Sequence, residues 1–296
     1  MLKTKSIILL ISIILMSFSV DMKTEVEKQI NEKFEKVEGN FAFAFKIVGS
    51  EVNSILINEK EMFHAASTMK TPVMIEAFKQ DANGVIYLQD SLIVKNSFKS
   101  IVDGSEFSLD INRDSGDKAY EMIGKKDTYY NLVYDMIINS SNLATNIVIE
   151  KLDAKNVMKT MDELGAKSIK VLRGVEDMKA FDAGLNNETN ANDLMILFEK
   201  IAEGNAVNPH ADSIMTEILL EQNHNDMIPK YLPHEVKVAH KTGGISGVLH
   251  DSGIVFLPNG KKYVLVILSK NITSVPQTAE MMAEISKIIY DYVNNL

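Results

Sequence analysis

The sequence predicts an α+β protein whose antiparallel sheet is built from both ends of the chain, with flanking helices and an all-α subdomain. Alternating apolar residues indicate strands at 41–47 and 54–57 near one end, and at 236–240, 252–257 and 263–268 near the other. Helical spacing dominates between them, and no glycine- or proline-rich linker separates the two parts. A cleft between sheet and helical part is the expected place for a functional site.

The helical part begins at 67–80, where Pro72 fits the first turn of a helix. Residues 85–128 are polar and turn-rich and give no clear pattern of either kind. The other predicted helices cover 129–138, 142–152, 154–164, 191–202, 211–222 and 278–293. The predicted lobes are an α/β lobe at about 25–66 and 216–296 and a helical lobe at about 67–215.

The first twenty residues differ from the rest and predict a secretory signal peptide. Two lysines precede an apolar run at 7–16, and small residues follow at Ser17 and Ser19. The run is short for a stable transmembrane helix, although a retained membrane anchor is the alternative interpretation. We expect cleavage, a catalytic domain at 21–296, and a secreted or periplasmic protein without a membrane span.

Composition narrows the classes of function. The chain has 296 residues and no cysteine, which excludes disulfides, thiol catalysis and cysteine-based metal sites. Its net charge is −9, and removal of the first twenty residues, with two lysines and no acidic residue, leaves −11. Such an acidic chain is a poor candidate for nucleic-acid binding.

Ser67 and Lys70 form a Ser-x-x-Lys pattern at the predicted start of a helix. A serine hydroxyl needs a base, and residues three apart share one helix face, so Lys70 can serve if burial lowers the pKa of its amine. The helix N-terminus also offers N–H groups to an oxyanion. The pattern is weak alone, because Ser115 and Lys118 repeat it, and a helix-capping serine is the alternative.

Two further motifs follow along the chain. Ser140-Ser141-Asn142 lies between two predicted helices, where an ordinary N-cap is the alternative interpretation. Lys241-Thr242-Gly243 follows the strand at 236–240, where it suits an anionic substrate group, and Gly244 lets a ligand backbone approach closely. The alternative is a polar strand end with a glycine turn.

The order Ser-x-x-Lys, Ser-x-Asn, Lys-Thr-Gly resembles the signature of penicillin-binding proteins and serine β-lactamases. The spacings of 73 and 101 residues resemble those of class A β-lactamases, as do the stretches 139–146, 238–244 and 250–255. The resemblance extends from about residue 25 to the end of the chain. It implies a β-lactamase/transpeptidase-like fold.

The resemblance also implies a role for each matching residue. Ser67 is the expected nucleophile, Lys70 its base, directly or through water, and Ser140 the donor of a proton to the leaving nitrogen. Five further positions are expected to bind the substrate. Asn142, which is also expected to hydrogen-bond Lys70, binds the substrate amide, and Lys241 and Thr242 bind the carboxylate. The Gly243-Gly244 segment completes the expected substrate-binding set. The backbone N–H groups of Ser67 and Gly244 are expected to form the oxyanion hole.

The chain departs from the class A pattern in the deacylating loop. Glu176 is the candidate for activating the hydrolytic water, 36 residues after Ser140, with a solvated loop carboxylate as the alternative. The position four residues later, where class A has an asparagine, is Ala180, and Asn186 or Asn187 is the candidate replacement. Arg173 is expected to hold the neck of the loop against Glu188.

Two further departures concern residue types. Ser141 stands where class A has an aspartate. The only arginines are Arg113 and Arg173, so no arginine on the C-terminal strands can bind the substrate carboxylate bidentately. The groups expected to bind it are Lys241, Thr242, Ser246 and His250.

These features predict a serine hydrolase that opens β-lactam rings through an acyl-enzyme on Ser67, acting as a monomer on a β-lactam or peptidoglycan-like small molecule. No metal or organic cofactor is implied. The alternatives are a related serine peptidase, esterase or D,D-peptidase with poor lactam turnover, and a penicillin-binding sensor that does not turn over.

Overall fold

The computed structural model describes residues 22–50, 53–116 and 118–296. The predicted signal segment at 1–20 lies outside the described residues. Among the helices of the described part, none is long and apolar enough to cross a membrane.

The strands of the main sheet lie toward the two ends of the chain, and most of the helices lie between them. The strands are β1 (Asn40–Ile47), β2 (Ser54–Ile57), β3 (Phe63–His64), β4 (Ser91–Ile93), β5 (Phe98–Lys99), β6 (Glu106–Phe107), β7 (Lys126–Thr128), β8 (Glu188–Thr189), β9 (Lys237–Ile245), β10 (Val248–Phe256) and β11 (Lys262–Lys270). The helices are α1 (22–34), α2 (Lys70–Ala82), α3 (Lys118–Glu121), α4 (Tyr129–Ile138), α5 (Asn142–Leu152), α6 (Ala154–Leu164), α7 (Met178–Asp182), α8 (Ala191–Glu203), α9 (Pro209–Leu220) and α10 (Val275–Asn294), with 3-10 turns at Ala66–Met69 and Ile111–Arg113.

The main sheet has five strands in the order β2-β1-β11-β10-β9, and every neighbouring pair is antiparallel. It therefore joins both ends of the chain, which confirms the predicted fold class. Phe43 lies opposite Ile57 on one side and Ile267 on the other, so β1 is central.

The two faces of β1 explain how the layers pack. Phe41, Phe43 and Phe45 point to a core shared with α1 and α10, and the Phe45 ring lies edge-on to Tyr292 of α10. Ala42 and Ala44 point to the other core, where α8 packs on the sheet. Because side chains alternate across a strand, one face of β1 carries the large phenylalanine side chains and the other carries the small alanine side chains.

The strand that carries the Lys-Thr-Gly motif is longer than predicted. The prediction ended it at His240, but β9 continues to Ile245, with Lys241 opposite Ser252 and Thr242 opposite Asp251. The motif is thus part of the ladder and not a strand end with a glycine turn. Its polar side chains obscured the strand pattern, because buried Lys241 and Thr242 interrupt the apolar alternation.

The predicted helices are confirmed, with shifts at the ends. Residues 67–80 divide into the 3-10 turn and α2, with Pro72 in the first turn of the helix. Asn208 caps α9, which begins at Pro209, two residues earlier than predicted. Residues 85–128 hold the short strand pairs β4–β7 and β5–β6, which end too quickly to show a period.

Candidate active site

Ser67 lies in the 3-10 turn that precedes α2, half-buried and facing the edge strand β9. A Cβ atom built on Gly243 would stand 3.1 Å from the Ser67 nitrogen and 3.0 Å from the Thr68 nitrogen. These distances are tighter than most Cβ contacts, so glycine at this position favours the close packing of the strand against the turn. A Cβ atom on Gly244, the next residue, would make only ordinary van der Waals contacts, the nearest with Leu249 at 3.7 Å.

Lys70 is completely buried one turn after Ser67. Its Nζ donates to the Ser140 carbonyl at 2.6 Å, to Ser140 Oγ at 3.1 Å and to Asn142 Oδ1 at 3.0 Å. Burial lowers the pKa of Lys70 to about 7, against the opposing charges of Asp114, Asp135 and Glu176. An amine with this pKa is available as a base near neutral pH.

Ser140 connects the two lysines of the site. Its Oγ accepts from Lys70 Nζ and, at 3.0 Å, from Lys241 Nζ. A hydroxyl oxygen has two lone pairs, so it can accept both bonds and still hold a proton to give away. The residue joins α4 to α5 with a positive φ of 58°, which turns its side chain toward the cleft.

Lys241 reaches Ser140 from β9 and is completely buried. Its Nζ also donates to the Thr242 carbonyl at 2.9 Å. Burial and the neighbouring Lys70 hold the pKa of Lys241 well below its usual range. A buried amine beside the Thr242 side chain suits an anionic group of a ligand, because the negative charge would favour the protonated amine.

Glu176 joins this network through Asn142. Asn142 Nδ2 donates to Glu176 Oε1 at 2.9 Å, while Asn142 Oδ1 accepts from Lys70. Burial raises the pKa of Glu176, and the Asn142 hydrogen bond and the Arg113 charge oppose that shift. The predicted deacylating carboxylate therefore lies two hydrogen bonds from the predicted base.

The loop that carries Glu176 is tied to its surroundings on both sides. Asn146 of α5 accepts from the Val175 nitrogen at 2.6 Å and donates to the Val175 carbonyl at 2.9 Å. Asp177 accepts from Ser100 Oγ and from the Ile101 nitrogen, both at 2.9 Å. These contacts fix the backbone on each side of Glu176.

The neck of the loop differs from the expectation. Arg173 donates to the carbonyls of Leu185 and Gly174, and it makes no ion pair with Glu188, which bonds Lys170. The expected Arg173–Glu188 pair is wrong because the guanidinium is buried among main-chain acceptors, whereas Lys170 pairs with Glu188 across a β-bridge.

The two candidate replacements for the class A loop asparagine differ in their hydrogen bonding. Asn187 Oδ1 accepts from the nitrogens of Leu172 and Arg173, and its Nδ2 donates to the Arg173 carbonyl. This side chain is therefore committed to the loop neck. Asn186 Oδ1 is buried without a hydrogen-bond partner among the described residues.

His250 cannot bind a substrate carboxylate as predicted. It is completely buried, its Nε2 faces the His64 carbonyl at 2.9 Å, and its Nδ1 faces the Ser269 nitrogen at 3.1 Å. Both ring nitrogens are thus used inside the protein. Ser246 is exposed in the turn between β9 and β10.

Asp114 is a site-supporting residue that the sequence analysis missed. Its carboxylate accepts from the Asn142 nitrogen at 2.8 and 2.9 Å and from the Leu143 nitrogen at 2.9 Å. Ser141 caps the same helix through the Ala144 nitrogen at 3.3 Å. A carboxylate from a facing loop thus supports the start of α5, and no local sequence pattern marks it.

Strained backbone is concentrated around the candidate site. Among the residues that the structure describes, six non-glycine residues have positive φ, and three of them are Ala66, Ser140 and Glu176. Such conformations persist only where the surroundings hold them, and they favour functional sites. The second Ser-x-x-Lys copy differs, since Ser115 and Lys118 are both exposed.

The fold and this arrangement can be compared with known proteins. PBP-A is 25% identical, with 92% of this chain and 97% of PBP-A covered and a TM-score of 0.79, and a variant of it has been solved as an acyl-enzyme complex with penicillin G. A β-lactamase from Sphaerobacter thermophilus is 21% identical, with 92% and 97% covered and a TM-score of 0.78. The extended-spectrum β-lactamase PER-1 of Pseudomonas aeruginosa is 20% identical over 261 residues, 82% of this chain and 79% of PER-1.

The family model that matches this chain defines a hydrolase that acts on the amide bond of β-lactams, with a serine β-lactamase-like function. The model of the β-lactamase enzyme family matches residues 25–293. The chain therefore belongs to the β-lactamase enzyme family.

Proposed function

We propose that the protein is a class A-like β-lactamase that opens the lactam ring through an acyl-enzyme on Ser67. The observation that carries the proposal is the buried chain of hydrogen bonds from Lys70 through Ser140 Oγ to Lys241, placed next to the Ser67 turn. It links a base, a proton carrier and an anion-binding cation in one network.

Acylation begins when the Ser67 oxygen attacks the lactam carbonyl carbon and its proton passes to the neutral amine of Lys70, directly or through water. The carbonyl oxygen becomes an oxyanion that faces the N–H groups of Ser67 and Gly244. When the ring C–N bond breaks, Ser140 gives its proton to the nitrogen, and Lys70 returns one to Ser140 along their 3.1 Å hydrogen bond. Lys70 ends neutral, as it began.

We assign deacylation, the second half of the reaction, to Glu176. Its carboxylate takes a proton from a water, the water oxygen attacks the ester carbon, and the Ser67 oxygen recovers the proton as it leaves. The raised pKa of Glu176 makes it a stronger base than an exposed glutamate. Lys241 and Thr242 bind the carboxylate of the substrate, since no arginine lies on the neighbouring strands.

A D,D-peptidase or another acyl-transfer enzyme with slow lactam release is the second candidate. The commitment of Asn187 to the loop neck favours it, because that side chain is not available to position a hydrolytic water beside Glu176. A buried Ala180 in the class A asparagine position points the same way. The two candidates share acylation and differ only in the rate of release.

Mass spectrometry of the intact protein over time after exposure to penicillin tests both halves of the proposal. A mass increase of one penicillin, mapped to Ser67, followed by return to the free mass with released penicilloate, is the expected result. Ser67→Ala should abolish the adduct, while the matched control Ser115→Ala should keep it. A lasting adduct would support the peptidase-like or sensor alternative, and an adduct that survives Ser67→Ala would overturn the proposal.

We further propose that residues 1–20 export the protein and that it works as a monomer. N-terminal sequencing of protein secreted from cells should find a start near Asp21. Light scattering should give the mass of one chain.

A further inference from the structure

We propose that His64 is a positioning residue for the nucleophile, because its ring holds the strained turn at Ala66 that presents Ser67 to the cleft. The inference rests on the proposed role of Ser67. It concerns a residue outside the signature motifs and outside the hydrogen-bond network of the two lysines.

The turn before the nucleophile is strained. Ala66 has a φ of +45°, in the left-handed region that its Cβ atom disfavours. Glycine would adopt this conformation at no steric cost. An alanine keeps it only if neighbouring groups hold the backbone in place.

His64 supplies that hold directly. Its Nδ1 accepts a hydrogen bond from the Ala66 nitrogen at 3.0 Å, which requires an Nδ1 without a proton. Burial and the charge of Arg173 lower the pKa of His64, against the charge of Glu188, so the neutral ring is favoured. The ring also lies edge-on to Phe181 of α7, with centroids 6.3 Å apart.

The backbone of His64 is itself anchored to the main sheet. The Ser269 N–H of β11 donates to His250 Nδ1, so the His250 proton lies on Nε2 and is donated to the His64 carbonyl at 2.9 Å. Burial lowers the pKa of His250 to about 4, which keeps this ring neutral as well. On its other side, His64 pairs with Glu188 of β8.

The consequence for Ser67 follows from its position next to Ala66. Without the Nδ1 acceptor, the Ala66 N–H loses its partner and its φ can relax toward ordinary values. Ser67 would then shift relative to Lys70 and to Gly243, on which an added Cβ atom would stand 3.1 Å from the Ser67 nitrogen. Small displacements of a reacting group cost large factors in rate.

The experiment combines two replacements of His64 with a change that removes the strain. His64→Phe keeps a ring beside Phe181 but has no acceptor, whereas His64→Asn places an oxygen acceptor near the position of Nδ1. Ala66→Gly is then added to His64→Phe. The acylation rate constant for penicillin, its KM-against-kcat split, and hydrogen exchange of the Ala66 amide are measured for each variant and the wild type.

We expect His64→Phe to be acylated at least about tenfold more slowly than the wild type. The loss should fall on the acylation rate constant and not on penicillin binding, and the Ala66 amide should exchange faster. His64→Asn should retain most of the wild-type rate, and Ala66→Gly should restore most of the loss in His64→Phe. Wild-type acylation by His64→Phe, or failure of both rescues, would overturn the inference. A wild-type protein without an adduct on Ser67 would instead refute the proposed function, and amide exchange would still report on the His64 hydrogen bond.

Discussion

The groups proposed for acylation and those proposed for release are held in different ways. Lys70 and Lys241 are completely buried and meet at Ser140, and each comes from a helix or strand of the main body. Glu176 lies in a loop and touches the network through one hydrogen bond, from Asn142. The acylation groups are thus fixed by core packing, whereas the position of Glu176 depends on a few hydrogen bonds.

This contrast indicates how activity could vary within one fold. Moving Lys70 or Lys241 would disturb α2 or β9, and hence the core. Moving Glu176 would instead break local contacts, such as the bonds of Asn146 to the loop and those of Asp177, within the loop, to the facing segment at 100–101. Release is therefore the half of the reaction that should respond more readily to substitution without loss of the fold.

The strongest test of the contrast is Glu176→Gln. Acylation should continue, because the buried lysine–serine chain is intact, while release should slow by about 10²- to 10⁴-fold with the loss of the general base. Stopped-flow hydrolysis of a chromogenic cephalosporin should show a burst of one equivalent followed by a slow phase. Unchanged steady-state turnover in this variant would remove Glu176 from the mechanism.

The pH dependence of acylation tests the proposed role of the buried Lys70 as the base. Lys70 has a pKa lowered to about 7 and must be neutral to accept a proton, so the neutral fraction falls about tenfold per unit below that pH. The single-turnover acylation rate of the wild type should therefore rise with pH and level off above about 7. A rate that stays flat between about pH 5 and 8 would contradict the role of Lys70 as the base.

The sequence predicted the elements whose signals are local. The ends of α4, α5 and α6 match closely because Thr128, Ser141 and Asp153 cap them, with Gly165 after the last. The order of the three motifs led to the lysines and Ser140, which the fold brings into contact. Glu176 was reachable from its spacing, and its contact with Asn142 keeps it a candidate without testing its role.

The missed features depend on contacts between distant segments. Asp114 caps α5 from a turn-rich stretch 28 residues away, and nothing in its own neighbourhood predicts that partner. His250 seemed available to a substrate because burial inside a sheet cannot be read from one polar residue. Glu188 was paired with the wrong cation because the β-bridge to Lys170 forms only in the fold.

Asp114→Asn should have two moderate effects. Loss of the charge removes the foremost of the carboxylates that raise the pKa of Lys70, so the acid limb of the acylation profile should move to lower pH. Replacing one carboxylate oxygen by an amide nitrogen leaves the N–H group of either Gly116 or Leu143 without its acceptor, so the free energy of unfolding should fall by about 1–3 kcal/mol. Urea unfolding and pH–rate profiles measure the two effects separately.

The matched control for Asp114 is Ser141→Ala. It removes the cap on the Ala144 nitrogen but no charge, so it should lower stability by about 1 kcal/mol and leave the acid limb in place. An acid limb that fails to move in Asp114→Asn, or that moves equally in Ser141→Ala, would contradict the electrostatic role of Asp114.

The smallest expected effect comes from loosening the loop at Asn146. Asn146→Ala removes both hydrogen bonds to Val175, next to Glu176, so release should slow about threefold to tenfold while acylation changes less than about twofold. Asn156→Ala is the control, because it also loses a side-chain bond to a main-chain carbonyl, that of Leu152, away from the loop. Pre-steady-state measurements give the rates of acylation and of release separately. Equal slowing of the two rates would mean that Asn146 supports both acylation and release, and that the loop does not act separately from the acylation groups.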